Sequence, residues 1–330
     1  MTKNMKVLVA GIHFESIIHF LRKNLPEFES YQIPALKVVE EVKEALVIIP
    51  TMTRIDRHII NSAPHLKLIQ QWGSGLEGVD IQAATENGVA VANVPTHGTG
   101  NAESVAEWCV MSAIALSRSF PSIQESVWKG SPWGVPCGKS LMGKTAGIVG
   151  VGGIGVELAK RLIPFQMKLI GVKKNPHHLP PGLSFEWVKG MNAFPELLSL
   201  ADYVFLCLPQ NEDTKCLFNR KAFQLIKNGA YLINPARGGL IDREALFDAL
   251  KGERLAGVAM DVFWQEPTNP QDPLLQNPKV LVTPHIAGAT DTSYQGIAEG
   301  VVKNIRLALL GKIPNNCVNP EVASHPKWGK

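Results

Sequence analysis

Ala146-Gly147-Ile148-Val149-Gly150-Val151-Gly152-Gly153-Ile154-Gly155 passes from a short apolar run directly into a glycine turn. The run at 147–149 has the composition of a buried strand, and Gly150-x-Gly152-x-x-Gly155 follows it without a spacer. Ile154, Leu158 and Leu162 then recur every fourth residue, which places one apolar stripe on a helix ending near Pro164. Strand, glycine turn and helix in this order give the glycines separate tasks: one makes the tight turn, one lets a pyrophosphate approach the backbone, and one lets helix and strand pack closely. The unpaired N–H groups at the helix start, around Gly153 and Ile154, face the phosphates. A second strand at 168–172 completes a βαβ unit, the setting that a dinucleotide site requires.

Downstream, short apolar runs at 203–208, 230–233, 255–260 and 280–282 alternate with helical segments such as 242–250. That alternation predicts an α/β fold with a parallel, doubly wound Rossmann sheet. Ligands of such sheets lie at the carboxyl ends of the strands. There this chain places Pro209, the loop Asn234-Pro235-Ala236-Arg237-Gly238-Gly239, Asp261, and Thr283-Pro284-His285.

Upstream, strand-like runs at 7–10, 46–49, 66–70 and 89–93 suggest a smaller, flavodoxin-like α/β domain. Ile17, Phe20 and Leu21 suit a helix face, and Asp80 is placed to cap a helix ending near Asn87-Gly88. The glycine-rich stretch 93–101 marks the first crossing between domains, and an amphipathic helix carrying Val105, Trp108, Val110 and Met111 follows it. A helix from Thr290 through Gly300, Ile305 and Leu309 returns to the first domain. The expected arrangement is a substrate domain from residues 1–100 and 288–330, with a dinucleotide-binding domain at 101–287 inserted into it.

The 330 residues suffice for two domains with their own cores. The chain is 45% hydrophobic and 19% charged, with a net charge of +4, and no apolar run reaches bilayer length. We expect neither a membrane nor a nucleic-acid partner. No signal-peptide core precedes the strand at 7–10, so the expected compartment is the cytoplasm. Cys109, Cys137, Cys207, Cys216 and Cys317 show no CxxC spacing, and we expect reduced thiols and no metal site.

Arg237, Glu266 in Asp261-Val-Phe-Trp-Gln-Glu-Pro267, and His285 in Thr-Pro-His-Ile-Ala-Gly288 fall on separate strand-end loops. With these motifs in this order, the sequence resembles the D-isomer-specific 2-hydroxyacid dehydrogenase family from Gly73-Ser74-Gly75 to about Thr290. The resemblance implies that Arg237, Glu266 and His285 are the catalytic set, and the chemistry of those side chains agrees. An arginine fork matches a substrate carboxylate. A histidine exchanges a proton near neutral pH, and a glutamate beside it holds one imidazole nitrogen. Taken singly, each also has an ordinary structural use: an arginine on loop carbonyls, a glutamate as a cap, a histidine in a turn.

The resemblance further implies that backbone N–H groups of Gly73, Ser74 and Gly75 receive the substrate carboxylate, together with Arg237 and His285. It assigns Ser104, Leu208, Pro209, Thr214, Pro235, Ala236, Asp261, His285 and Gly288 to the cofactor, with Asp261 on the carboxamide or, alternatively, serving as a helix N-cap or in a loop contact. Trp133, in Ser131-Pro132-Trp133-Gly134, resembles an aromatic that enters a neighbouring subunit's active site in some relatives, and we expect it instead to pack within its own chain. A homodimer through the cofactor domains, an active site in a cleft between the domains, and a D-2-hydroxyacid or small 2-oxoacid substrate are also implied.

The sequence departs from that pattern in three places. Where an NAD site carries an acid on the ribose, this chain has Lys173-Lys174, so NADP is expected ahead of NAD. The loop from Thr96 to Glu103 is longer than the family's usual link. Pro50 falls where phosphoglycerate-oxidising relatives tend to have arginine, and no additional regulatory domain is read, so glyoxylate or hydroxypyruvate is expected ahead of a phosphorylated substrate. The alternatives are a phosphoglycerate dehydrogenase-like enzyme, an amino-acid dehydrogenase and a non-catalytic NAD(H)-sensing, corepressor-like protein.

Overall fold

The computed structural model describes residues 6–13, 16–130, 133–176 and 179–328. The chain forms two compact units, Met1–Thr99 with Asp291–Lys330, and Gly100–Thr290. The second boundary lies three residues beyond the expected 287. Residues 288–290 stay with the larger unit because Gly288 lies against the Asn101 side chain and Thr290 Oγ1 is 2.7 Å from Ser104 Oγ.

In the smaller unit, strands β1 (Lys6–Ala10), β2 (Glu29–Ile33), β3 (Ala45–Pro50), β4 (Leu68–Gln70) and β5 (Ala90–Ala92) form a parallel sheet in the order β2-β1-β3-β4-β5. Successive residues of β1 point to opposite faces, and both faces are buried. Val7 and Val9 meet Ile17 and Leu21 of helix Ser16–Asn24 and Ile297, Val301 and Ile305 of helix Asp291–Leu309. Leu8 and Ala10 meet the opposite layer around Ile59, Ile60 and Ala83. The Asp80 carboxylate accepts from Ala83 N at 2.8 Å and caps helix Ile81–Glu86, as its position suggested.

In the larger unit, β6 (Thr145–Val149), β7 (Lys168–Val172), β8 (Trp187–Lys189), β9 (Tyr203–Leu206), β10 (Ala230–Asn234), β11 (Leu255–Met260) and β12 (Val280–Val282) are all parallel. Their order is β12-β11-β10-β9-β6-β7-β8, the doubly wound sheet that the alternating pattern predicted. Apolar side chains cover both faces. The direction of winding reverses between β6 and β9, which opens a crevice at their carboxyl ends.

Several sequence expectations need correction. Strands β2 and β8 were not foreseen, because both lie at sheet edges and bury little: of β2 only Ser30 is buried, and of β8 no residue is. The segment expected as one loop from Thr96 to Glu103 stops at Gly100, whose φ of +77° ends the turn, and helix Asn101–Ser117 begins immediately after it. Met111, placed by its sequence on that helix's apolar face, is 47% exposed. Trp133 is 96% exposed, which rules out packing within its own chain; Ser131 and Pro132 beside it lie outside the described residues. Among the described residues no helix is long and apolar enough to cross a membrane.

Candidate active site

The glycine turn after β6 separates the three tasks by contact. Gly150 has φ +99°, and a Cβ there would stand 2.5 Å from the Cys207 carbonyl oxygen that follows β9. A Cβ on Gly155 would meet the Gly150 oxygen at 2.3 Å, so helix Gly153–Leu162 lies against the turn at a distance only glycine allows. Around Gly152 nothing stands within 4 Å of that point. Two glycines are therefore demanded by the protein itself, and the third leaves the backbone open to an approaching group, with the first N–H groups of the helix beside it. This cradle fits a dinucleotide pyrophosphate. Lys173 and Lys174 follow directly on β7, Lys173 N donating to Lys189 O at 3.0 Å and Lys174 exposed.

The remaining positions assigned to the cofactor differ in how much the protein already uses them. Ser104 is buried and donates to Gly100 O at 2.7 Å. Thr214 donates to Pro209 O at 2.9 Å and accepts from Asn211 N at 2.8 Å, which shapes the turn after β9. Leu208 and Pro235 are buried, while Pro209 is exposed. Ala236 N donates to the Asn234 side chain. Gly288 permits an approach in which a Cβ would meet Asn101 Nδ2 at 2.3 Å.

Arg237 is delivered by a side chain that sequence reasoning passed over. Asn234, fully buried at the end of β10, accepts from Ala236 N at 3.0 Å and donates from Nδ2 to Arg237 O at 2.8 Å. The Asn-Pro-Ala pattern, an asparagine bonding its own backbone two residues on, was the available signal. Arg237 itself adds a bond from its guanidinium to Ala236 O at 2.7 Å.

His285 and Glu266 are in direct contact, with Nδ1 2.6 Å from Oε2. The other Glu266 oxygen accepts from Phe263 N at 2.8 Å. Burial pushes the Glu266 carboxyl upward, but the His285 hydrogen bond and charge, the Phe263 N–H and the charge of Arg237 bring it below its ordinary value. Among the described residues no hydrogen-bond partner takes His285 Nε2, and the ring is 39% exposed.

The His285 backbone has φ +56°, a region a non-glycine residue occupies only when its surroundings impose it. Asp261 imposes it. Its backbone oxygen accepts from His285 N at 2.7 Å; Oδ1 accepts from Ile286 N at 2.8 Å and from the Thr283 hydroxyl at 2.5 Å; Oδ2 accepts from Ala287 N at 2.8 Å. Trp108 Nε1 in turn donates to Thr283 Oγ1 at 3.0 Å. Asp261 is 1% exposed, so the loop-contact alternative describes these bonds, and the histidine loop is wrapped around its carboxylate. Burial raises the Asp261 carboxyl above its ordinary value against the opposing pull of Thr283, Ala287, Ile286 and His285.

The turn Gly73-Ser74-Gly75 belongs to the smaller unit and stands just past β4. Its carbonyls are used: Val94 N donates to Gly73 O and Asn93 Nδ2 to Ser74 O, both at 2.9 Å. Among the described residues no acceptor takes the three N–H groups, and Gly73, at φ +103°, has nothing within 4 Å of a would-be Cβ. Successive open N–H groups of this kind form a concavity suited to an anion.

Residues 110–287 match the family model described as D-isomer specific 2-hydroxyacid dehydrogenase, NAD binding domain. The chain is similar to a glyoxylate reductase of Thermofilum pendens, 36% identical over 85% of this chain and 82% of the relative. It is also similar to a D-3-phosphoglycerate dehydrogenase of Archaeoglobus fulgidus, 32% identical over 96% of this chain; the chain spans 59% of that longer relative. A solved NADPH-dependent glyoxylate/hydroxypyruvate reductase of Sinorhizobium meliloti, in complex with NADP and malonate, superimposes with a TM-score of 0.80 at 25% identity, covering 93% of this chain and 94% of that one.

Proposed function

Because the chain belongs to the D-isomer specific 2-hydroxyacid dehydrogenase family, we propose that it transfers hydride between a nicotinamide dinucleotide and C2 of a small 2-oxoacid, reducing glyoxylate or hydroxypyruvate to the hydroxyacid. The 2.6 Å contact between His285 Nδ1 and Glu266 Oε2 carries this reading. With Nδ1 held by the carboxylate, Nε2 is the nitrogen that exchanges a proton with substrate. Arg237 receives the substrate carboxylate in its fork and polarises the neighbouring carbonyl. The Gly73–Gly75 N–H groups are proposed to share that carboxylate. As the carbonyl oxygen gains negative charge, His285 Nε2 donates its proton to it, and in the oxidative direction takes that proton back. When bound, the dinucleotide supplies the hydride that C2 accepts. Gly150, Gly152, Gly153, Ile154 and Gly155 would hold its phosphates.

Lys173 and Lys174, at the position where a carboxylate would select NAD, support NADP as the preferred cofactor. A phosphoglycerate dehydrogenase-like activity is the second reading, favoured by the 32% identity over nearly the whole chain. Against it, residue 50 is a buried proline and offers no cation to a phosphate. A homodimer is also proposed. Trp133, Trp128, Val127 and Val135 are 96%, 80%, 65% and 55% exposed on one stretch of the larger unit, an apolar surface that a second copy would cover.

The deciding experiment compares initial rates for glyoxylate, hydroxypyruvate and 3-phosphohydroxypyruvate with NADPH and with NADH. Fastest turnover of a non-phosphorylated oxoacid with NADPH is expected. A preference for the phosphorylated substrate selects the second reading, a preference for NADH removes the lysine argument, and absence of turnover with all six pairs overturns the proposal.

A further inference from the structure

Immediately before the open turn stands Trp72, and its ring meets two aromatics from different helices. Phe20 of Ser16–Asn24 lies 6.3 Å from it and Tyr294 of Asp291–Leu309 lies 6.2 Å from it, centroid to centroid, both tilted by about 45°. Phe20 and Tyr294 stack on each other at 6.1 Å with their planes 9° apart. All three separations fall within the range in which aromatic pairs attract beyond simple burial. The trio therefore joins one end of the turn to the first turn of the helix that re-enters this unit after residue 290.

The other anchors of the turn lie on one flank. A Cβ on Gly73 would meet nothing within 4 Å, and its φ of +103° is a backbone conformation that residues with a side chain rarely adopt. Its carbonyl side is tied to Asn93 and Val94, and the preceding Gln71 N donates to Ala92 O at 2.8 Å. Those bonds fix the flank toward β5; the opposite flank is fixed by the Trp72 ring. The Trp72 Nε1 atom is buried and has no acceptor among the described residues, so the indole is held there by its ring faces and edges alone. An indole kept in place without a bond for its N–H is paying a desolvation cost that its packing must offset.

We infer that Trp72 is a positioning residue for substrate: clamped by Phe20 and Tyr294, it sets the direction in which the Gly73, Ser74 and Gly75 N–H groups point. The inference rests on the proposed role of that turn in receiving the oxoacid carboxylate. Trp72 belongs to the smaller unit, whereas the dinucleotide cradle and the His285 loop belong to the larger one, so its effect is expected on the affinity for the oxoacid.

The test uses the full chain and its fastest oxoacid, comparing wild type with Trp72→Ala, Trp72→Phe and Tyr294→Leu. In Trp72→Ala, KM for the oxoacid is expected to rise about tenfold or more while KM for the dinucleotide stays within about twofold, the pattern of a lost orientation on one substrate. Trp72→Phe, which keeps a ring against Phe20 and Tyr294, should recover most of that loss, and Tyr294→Leu should shift the oxoacid KM in the same direction by less. Equal shifts in both KM values, or an unchanged oxoacid KM in a folded Trp72→Ala, overturn the inference. Should wild type turn over no oxoacid, the proposed activity fails by that result alone, and amide exchange still decides the clamp. Faster exchange at the Gln71 and Val94 amides in Trp72→Ala, with the 146–155 segment unchanged, supports it; unchanged exchange at both amides overturns it.

Discussion

Two carboxylates leave the same strand end of the larger unit and are used in opposite ways. Asp261, directly after β11, is 1% exposed and spends both oxygens on Thr283, Ile286 and Ala287. Glu266, farther along the same loop, has a side chain 17% exposed and spends one oxygen on the His285 ring. Burial dominates the first and raises its carboxyl; hydrogen bonds and the charges of His285 and Arg237 dominate the second and lower it. The difference teaches that one acid builds the histidine's backbone while the other orients the histidine's ring, so the two should fail differently when removed.

The largest effect is expected where both acids converge. His285→Gln keeps a polar side chain on the Asp261 scaffold but has no nitrogen that exchanges a proton, and kcat should fall by roughly 10³-fold with the melting temperature nearly unchanged. Near-normal kcat would detach the Glu266–His285 pair from the chemistry altogether.

Asp261→Ala should instead show itself first in stability. It leaves buried N–H and O–H donors without acceptors and a left-handed His285 without support, a loss of about 3 kcal/mol. Denaturant unfolding measures this directly. A variant as stable as wild type would mean that the 283–287 loop holds its shape without the carboxylate, and the contrast with Glu266 would collapse.

The smallest effect is a pH dependence that sharpens the comparison. Glu266 has a folded-state value below its unfolded one, so its contribution to stability is present above about pH 4.3, the ordinary glutamate value, and disappears as pH falls through the lower folded value. The stability gap between wild type and Glu266→Gln should therefore be full near neutrality and close in acid. A gap that widens as pH falls would reverse the assigned sign.

Much of this was readable from local pattern. The glycine spacing at 150–155 announced the tight turn and the close helix packing because both follow from the backbone alone, and the carboxyl-end placement of Arg237, Glu266 and His285 followed from counting strands. Strands β2 and β8 escaped because an edge strand buries little and leaves no apolar rhythm to read. Asp261 was placed in its competing roles by sequence, but the choice among them required knowing which N–H groups converge on it, and these come from residues more than twenty positions away. Packing of Trp133 within its own chain was expected from its aromatic character, and only the folded chain shows the ring 96% exposed.

By itself, then, the sequence determined the parallel α/β architecture and the glycine turn after β6, and it named the side chains proposed to react, since these depend on periodicity, on glycine's missing Cβ and on intrinsic side-chain chemistry. Only the tertiary structure decided that Glu266 holds His285 at Nδ1, that Asp261 is saturated by the loop it shapes, and that Trp72 meets Phe20 and Tyr294 beside an open turn. Those are relations between residues far apart in the chain, and a hydrogen bond or a ring contact acts over a few ångströms, a distance that sequence separation does not encode.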